Sequence, residues 1–201
     1  MLKRLVFLLL VCFGISASAE EGYEVLKPTQ PVQNPEKIEV IEFFWYGCPH
    51  CYHLEPAIKQ WLKNKPANVE FIRQPAVFNE LWGKNAKVFY TAEALGVEDK
   101  LHDDIFDAIQ NKKIKLATDE EIAKFFIEHG VKEEDFQTAY KSFSVDAKLR
   151  QAEGMGPRYG ISGVPTLIVN GKFKVTATSA KSQDNMLNVV NQLIQSESQK
   201  K

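Results

Sequence analysis

The sequence predicts one α/β domain interrupted by an all-helical insertion, and three observations support that reading. A β-branched and aromatic run, Ile38-Glu-Val-Ile-Glu-Phe-Phe-Trp45, leads into a helical pattern and then a second such run, Val69-Glu-Phe-Ile-Arg73. From about Gly83 to Tyr159 the apolar spacing is helical only. Strand character then returns at Thr166-Leu-Ile-Val169, followed by a hairpin and a closing helix. Strand–helix–strand, a helical block, then hairpin and helix is the order expected when one layered domain hosts an insertion.

The N-terminus predicts export. Lys3 and Arg4 form a basic start, Leu5 to Ile15 an apolar stretch, and Ala17-Ser18-Ala19 supplies the small residues that a signal peptidase reads. Cleavage is expected after Ala19. The apolar stretch is shorter than the roughly 20 residues that a membrane-spanning helix needs. Cys12 would leave with the signal peptide, and no small residues precede it as a lipidation site would require. Glu20 to Lys37 is polar and carries Pro28, Pro31 and Pro35, which reads as an extended lead-in.

The run from Ile38 reads as a strand buried on both faces. Gly47 marks the turn out of it, and Pro49 suits the first position of a helix, where a missing N–H is no loss. Leu54, Ile58, Trp61 and Leu62 share one face of that helix, and Pro56 within it predicts a kink. In the helical block Ala86, Phe89, Tyr90, Ala94 and Leu95 form a stripe closed by Gly96. Thr118-Asp-Glu-Glu121 reads as a capping box for a helix that Gly130 ends, and Phe136, Tyr140 and Phe143 make a further face. These aromatic residues sit at helical spacing and read as core. Asn170-Gly171 is a strong hairpin signal, and Lys172 to Val175 answers it as the partner strand. Met186, Leu187, Val190, Leu193 and Ile194 face inward from a last helix over residues 182–196.

Charge excludes more than it suggests. With 26 acidic and 25 basic residues the formal net charge is −1, so nothing points to nucleic acid or an anionic membrane surface. Cysteine usage is the informative count: of 3 cysteines, only Cys48 and Cys51 lie in the mature chain. A bridge closing so short a loop adds little chain-entropy stabilisation, so the pair reads as chemistry rather than as a staple. Zinc is the chemical rival, but no second cysteine pair or histidine pair at ligand spacing follows. His102 and His129 read as isolated, and no metal is expected.

A Cys-x-x-Cys opening a helix places the first sulfur among unpaired N–H groups and the positive end of the helix dipole, which favours a thiolate. His50, when protonated, adds charge beside it, and such surroundings depress a thiol pKa. Cys48 is therefore the expected nucleophile, and Cys51 the buried resolving thiol. His50 can also be read as an ordinary solvated residue. Glu42 stands six residues before Cys48. On a central strand it is a buried carboxylate of raised pKa, able to exchange a proton with Cys51; at a strand end it simply faces water. Pro165, in Gly163-Val-Pro-Thr166, is either a plain turn proline or one joined to Val164 by a cis bond.

Cys48-Pro-His-Cys51, Glu42-Phe-Phe, Gly163-Val-Pro165, Val169-Asn-Gly-Lys172 and Ala94-Leu-Gly-Val-Glu-Asp-Lys100 together resemble the DsbA family of periplasmic disulfide oxidases. The resemblance covers the mature chain. It implies a thioredoxin-like fold, over residues 20–81 and 153–201, with a helical domain inserted at 82–152. It implies catalytic roles for Cys48, Cys51, His50 and Glu42, and a substrate surface at Val164, Pro165 and Pro49, with a cis Val164–Pro165 bond facing the cysteines. It implies no organic cofactor beyond the redox-active Cys48–Cys51 disulfide. The implied partners are reduced, unfolded secreted proteins and a DsbB-type quinone-coupled membrane oxidase, for a periplasmic monomer. Trp45 and Tyr46 depart from the phenylalanine-rich run of familiar members. An isomerase or reductase of the same fold, and a non-catalytic chaperone or binding module, are the alternative readings. The stretch from Glu20 to Ile38 is too short for the dimerisation domain of DsbC-like isomerases.

Overall fold

The computed structural model describes residues 22–200. The expected signal peptide and its cleavage site, with Cys12, lie outside the described residues. Among the described residues no helix is long and apolar enough to cross a membrane.

The chain begins with β1 (Glu24–Val25), β2 (Ile38–Phe44), α1 (Pro49–Asn64) and β3 (Val69–Pro75). Five helices follow: α2 (Glu80–Ala94), α3 (Glu98–Gln110), α4 (Asp119–Glu128), α5 (Glu133–Tyr140) and α6 (Phe143–Arg158). β4 (Thr166–Val169), β5 (Phe173–Thr176) and α7 (Met186–Ser198) complete it. The strands form one sheet in the order β1-β5-β4-β2-β3. β2 is parallel to β3 and antiparallel to β4, so it has a neighbour on each side. Every residue of β2 is buried, which its lack of polar alternation required.

Local signals place the element ends. Asn170 and Gly171 both have positive φ, 54° and 63°, the backbone of a tight two-residue hairpin. A Cβ on Gly171 would stand 2.1 Å from the Gln30 carbonyl oxygen, because the lead-in crosses there and Gln30 N–H donates to Gly171 O at 2.8 Å. Two residues of that lead-in form β1 against β5, a pairing too short to show in the sequence. Thr118 caps α4 by accepting from Glu121 N–H at 3.2 Å. The Glu121 carboxylate reaches back one residue further than in a regular capping box and takes the Ala117 N–H at 2.9 Å. Pro56 lies within α1, and α7 begins at Met186 rather than at the expected residue 182, behind turns over residues 177–185.

The core explains how the helical block meets the sheet. One apolar cluster joins Phe89, Phe106, Ile122, Phe126 and Phe136 of the block to Phe44, Tyr46 and Cys51. A second packs Met186, Val190 and Leu193 of α7 against Val40, Leu167 and Val175. Each large side chain so buried contributes roughly 1.5–3 kcal/mol. Helices α2 to α6 thus share one interior with the C-terminal end of β2 and the start of α1.

Candidate active site

Cys48 leaves the turn after β2 and becomes the N-cap of α1, with φ −88° and ψ 115°. Its N–H donates to Trp45 O at 2.9 Å, and its Sγ accepts from Cys51 N–H at 3.4 Å. Pro49 takes the first helical turn. Gly47 is required for packing, since a Cβ there would lie 2.1 Å from the Trp45 ring. That ring stacks on Trp82 at 4.2 Å and 11°, and its Nε1–H donates to Asn85 Oδ1 at 2.8 Å. The turn carrying the cysteines is therefore held from the helical block.

Both cysteines are free thiols in this structure, and their surroundings push them apart. The Cys48 pKa falls to about 6. The hydrogen bond from the Cys51 thiol is the largest cause; partial burial opposes it, and the Cys51 and His50 N–H groups and the His50 charge assist. Burial pushes Cys51 well above the ordinary thiol value, with the Cys48 and Glu42 charges adding to it. Cys48 retains 7% exposure and Cys51 none. A pair with one stabilised thiolate near the surface and one protonated thiol beneath it is built for sequential thiol–disulfide exchange.

The predicted substrate residues come to the same place. Val164 O lies 3.4 Å from Cys48 Sγ across 116 residues of sequence, and the Val164–Pro165 bond is cis. Gly163, Val164, Pro165 and Thr166 line a cleft with His50 and Gln183. Gln183 Nε2–H donates to His50 O at 2.9 Å, tying the cysteine motif to the segment before α7. His50 is exposed, at the rim of this cleft.

Glu42 lies on the central strand, fully buried, so its strand-end reading is excluded. Its register partners are Arg73 on β3 and Leu167 on β4. Neither carboxylate oxygen has a hydrogen-bond partner, and the nearest cation, Arg73 Nε, is 3.9 Å away. Burial, reinforced by the Glu55 charge, pushes its pKa well up, while Arg73 opposes.

Several polar residues here escaped the sequence reading. Glu55, one turn after Cys51 on α1, is 3% exposed and accepts from Arg73 Nη2 at 3.1 Å. Its other oxygen meets His102 Nε2 at 3.2 Å. The isolation expected of His102 is corrected: it is 3% exposed and its Nδ1 lies 2.9 Å from Tyr46 Oη. The signal in the sequence was an acidic residue between Leu54 and Ile58 on an apolar helix face. The matching cation, Arg73, lies within β3 in register with Glu42, which only the fold reveals.

The comparisons with known proteins agree with this geometry. Residues 39–191 match the DSBA-like thioredoxin domain family. The thiol:disulfide interchange protein DsbA of Azotobacter vinelandii is 46% identical over 175 residues, 87% of this chain and 82% of that protein. The crystal structure of Pseudomonas aeruginosa DsbA superposes with a TM-score of 0.84 at 41% identity, covering 90% of this chain and 95% of that one. The oxidoreductase NmDsbA1 of Neisseria meningitidis gives 0.78 at 30% identity, covering 90% and 94%.

Proposed function

The chain belongs to the DsbA-like thioredoxin family of thiol:disulfide oxidoreductases, and on that footing we propose that it runs as a net oxidant of exported proteins. It acts by thiol–disulfide interchange. The redox group we assign is the Cys48–Cys51 disulfide itself, without an organic cofactor. A client thiolate attacks Cys48 Sγ, a client–Cys48 bond forms, and Cys51 leaves with the bonding electrons. Glu42, protonated in its buried site, gives its proton to the Cys51 thiolate. A second client thiolate then attacks the client sulfur and expels Cys48 as a thiolate, leaving the client oxidised by two electrons.

The observation that carries the direction is the unequal treatment of the two sulfurs. A Cys48 pKa of about 6 stabilises the reduced form and makes Cys48 a good leaving group, so the disulfide is a strong oxidant. The client segment lies in the cleft by Val164, Pro165 and Pro49, where an extended strand can pair its backbone. His50 sits at the rim and adds positive charge to the Cys48 thiolate. Export, cleavage after Ala19, a periplasmic setting, a monomeric state and reoxidation by a DsbB-type membrane oxidase complete the reading. The signal-like start and the family membership support them.

Equilibration of the Cys48–Cys51 pair with glutathione tests the direction. The expected potential lies near the family's own benchmark of about −120 mV, and a value near the thioredoxin figure of about −270 mV would identify a reductase instead. Failure to oxidise a reduced test protein at all would leave the binding-module reading in its place.

A further inference from the structure

A line of buried polar groups runs from Glu42 to the surface, and the exchange reaction as written uses only its inner end. Arg73 bridges Glu42 at 3.9 Å and Glu55 at 3.1 Å. Glu55 holds His102 Nε2 at 3.2 Å, and His102 Nδ1 lies 2.9 Å from Tyr46 Oη and 3.4 Å from Glu98 Oε1. Glu98, with an 18% exposed side chain, and Arg73 both line a cleft open to solvent between β3, α2 and α3. The cluster therefore touches water at one end and Cys51's neighbour at the other.

We propose that His102 is the charge-compensating residue of the exchange reaction, taking up a proton from solvent at the Glu98 side when Glu42 gives its proton to Cys51. The inference rests on the Glu42 role proposed above. In the oxidised protein the cluster is neutral with Glu42 and Glu98 protonated, Glu55 paired with Arg73, and His102 uncharged. Burial holds Glu98 up to about 7 and pushes His102 down, consistent with that resting state. Once Glu42 ionises, a buried group of three charges, Glu42, Glu55 and Arg73, would be left one negative in excess, which is costly away from water. A proton on His102 restores neutrality, and none has to cross Arg73, which does not release its own.

One atom fits the charged state better than the resting one. Glu98 Oε1 is buried without a hydrogen-bond partner, yet it lies 3.4 Å from His102 Nδ1. With neutral His102, Nε2–H donates to Glu55 and Nδ1 accepts from Tyr46. Protonation turns Nδ1 into a donor, and the orphaned Glu98 oxygen is the acceptor beside it. The groups facing the imidazole are Tyr46 after β2, Glu55 on α1, Arg73 on β3, and Glu98 and Asp103 on its own helix. Asp103 is paired with Lys59, which leaves Glu55 as the anion and the protonated Glu98 as the neutral acceptor that respond.

The test is an NMR titration of the His102 imidazole in the oxidised and the dithiol forms of the mature chain. The apparent pKa is expected to be higher in the dithiol form by about one unit, a tenfold change in proton affinity, and the difference is expected to vanish in Glu42→Gln. The same pKa in both redox forms overturns the proposal. His102→Gln gives an independent readout: reduction of its disulfide by a model dithiol peptide at neutral pH should slow about tenfold, with the Cys48 titration unmoved. A wild-type rate in H102Q also overturns the proposal. A wild-type rate in E42Q instead removes the Glu42 role itself, so the two failures are told apart.

Discussion

Glu42 and Arg73 sit directly opposite each other on neighbouring parallel strands, yet the carboxylate stays 3.9 Å from the guanidinium Nε and unbonded. Arg73 spends its hydrogen bond on Glu55 instead. The central strand thus carries an acid that the surroundings decline to ionise, one strand away from a permanent cation. Glu42→Gln is expected to stabilise the fold at neutral pH by about 1–3 kcal/mol, while slowing disulfide exchange. The sign follows from the raised pKa: folded Glu42 binds more protons than unfolded Glu42, so its burden grows as pH rises above the unfolded value. Urea midpoints of E42Q and wild type should therefore diverge above about pH 4.3 and coincide below it.

The Cys48 thiolate gives the opposite sign. Its folded pKa of about 6 lies below the ordinary thiol value of about 8.5, so stabilisation of the dithiol form is full above the unfolded pKa and is lost as pH falls through 6. The whole effect is on the order of 2–3 kcal/mol, at about 1.36 kcal/mol per pH unit and reduced by the water that reaches the sulfur. Denaturation of the reduced protein at several pH values, with Cys48→Ala as reference, measures it. A pH-independent difference would contradict the thiolate assignment.

Separate roles for the two sulfurs predict separate failures. Cys48→Ser should abolish exchange, because no sulfur remains where a client can attack. Cys51→Ser keeps the attacking thiol and removes the resolving one, so mixed disulfides with clients should accumulate. Non-reducing electrophoresis after incubation with an oxidised test protein distinguishes the two.

Gly47→Ala would place a methyl group 2.1 Å from the Trp45 ring. Moving the ring would break its stack on Trp82 and its bond to Asn85, so a loss of about 1–3 kcal/mol is expected from overpacking. Thermal unfolding reads that loss. Exchange activity should fall as well, since the same turn delivers Cys48.

Much of this was legible before any coordinates. β-branched and aromatic residues without polar alternation identified β2 as a strand buried on both faces, Asn170-Gly171 identified the hairpin, and Cys48-Pro-His-Cys51 after a strand identified the chemistry. The residues that stayed hidden share a cause. Glu55, Arg73 and His102 belong to three different elements, and each alone looks like a surface residue. Only the β2–β3 register and the packing of α3 on α1 bring them together, and neither is encoded in local periodicity. Trp45 and Tyr46 were visible as departures from a family pattern. Their purpose, gripping Asn85 and His102 from the turn between strand and helix, needed the fold.

The shared interior of Cys51, Phe44 and Phe106 has an engineering consequence. Helices α2 to α6 are not a cover that can be lifted off to leave a minimal redox domain. Excising them would turn the inner wall of the cysteine helix outward, letting water reach Cys51 and carrying its proton affinity back toward that of a free thiol. The reaction's asymmetry would go with it, so grafting this chemistry onto a smaller scaffold means transplanting the apolar backing together with the four-residue motif.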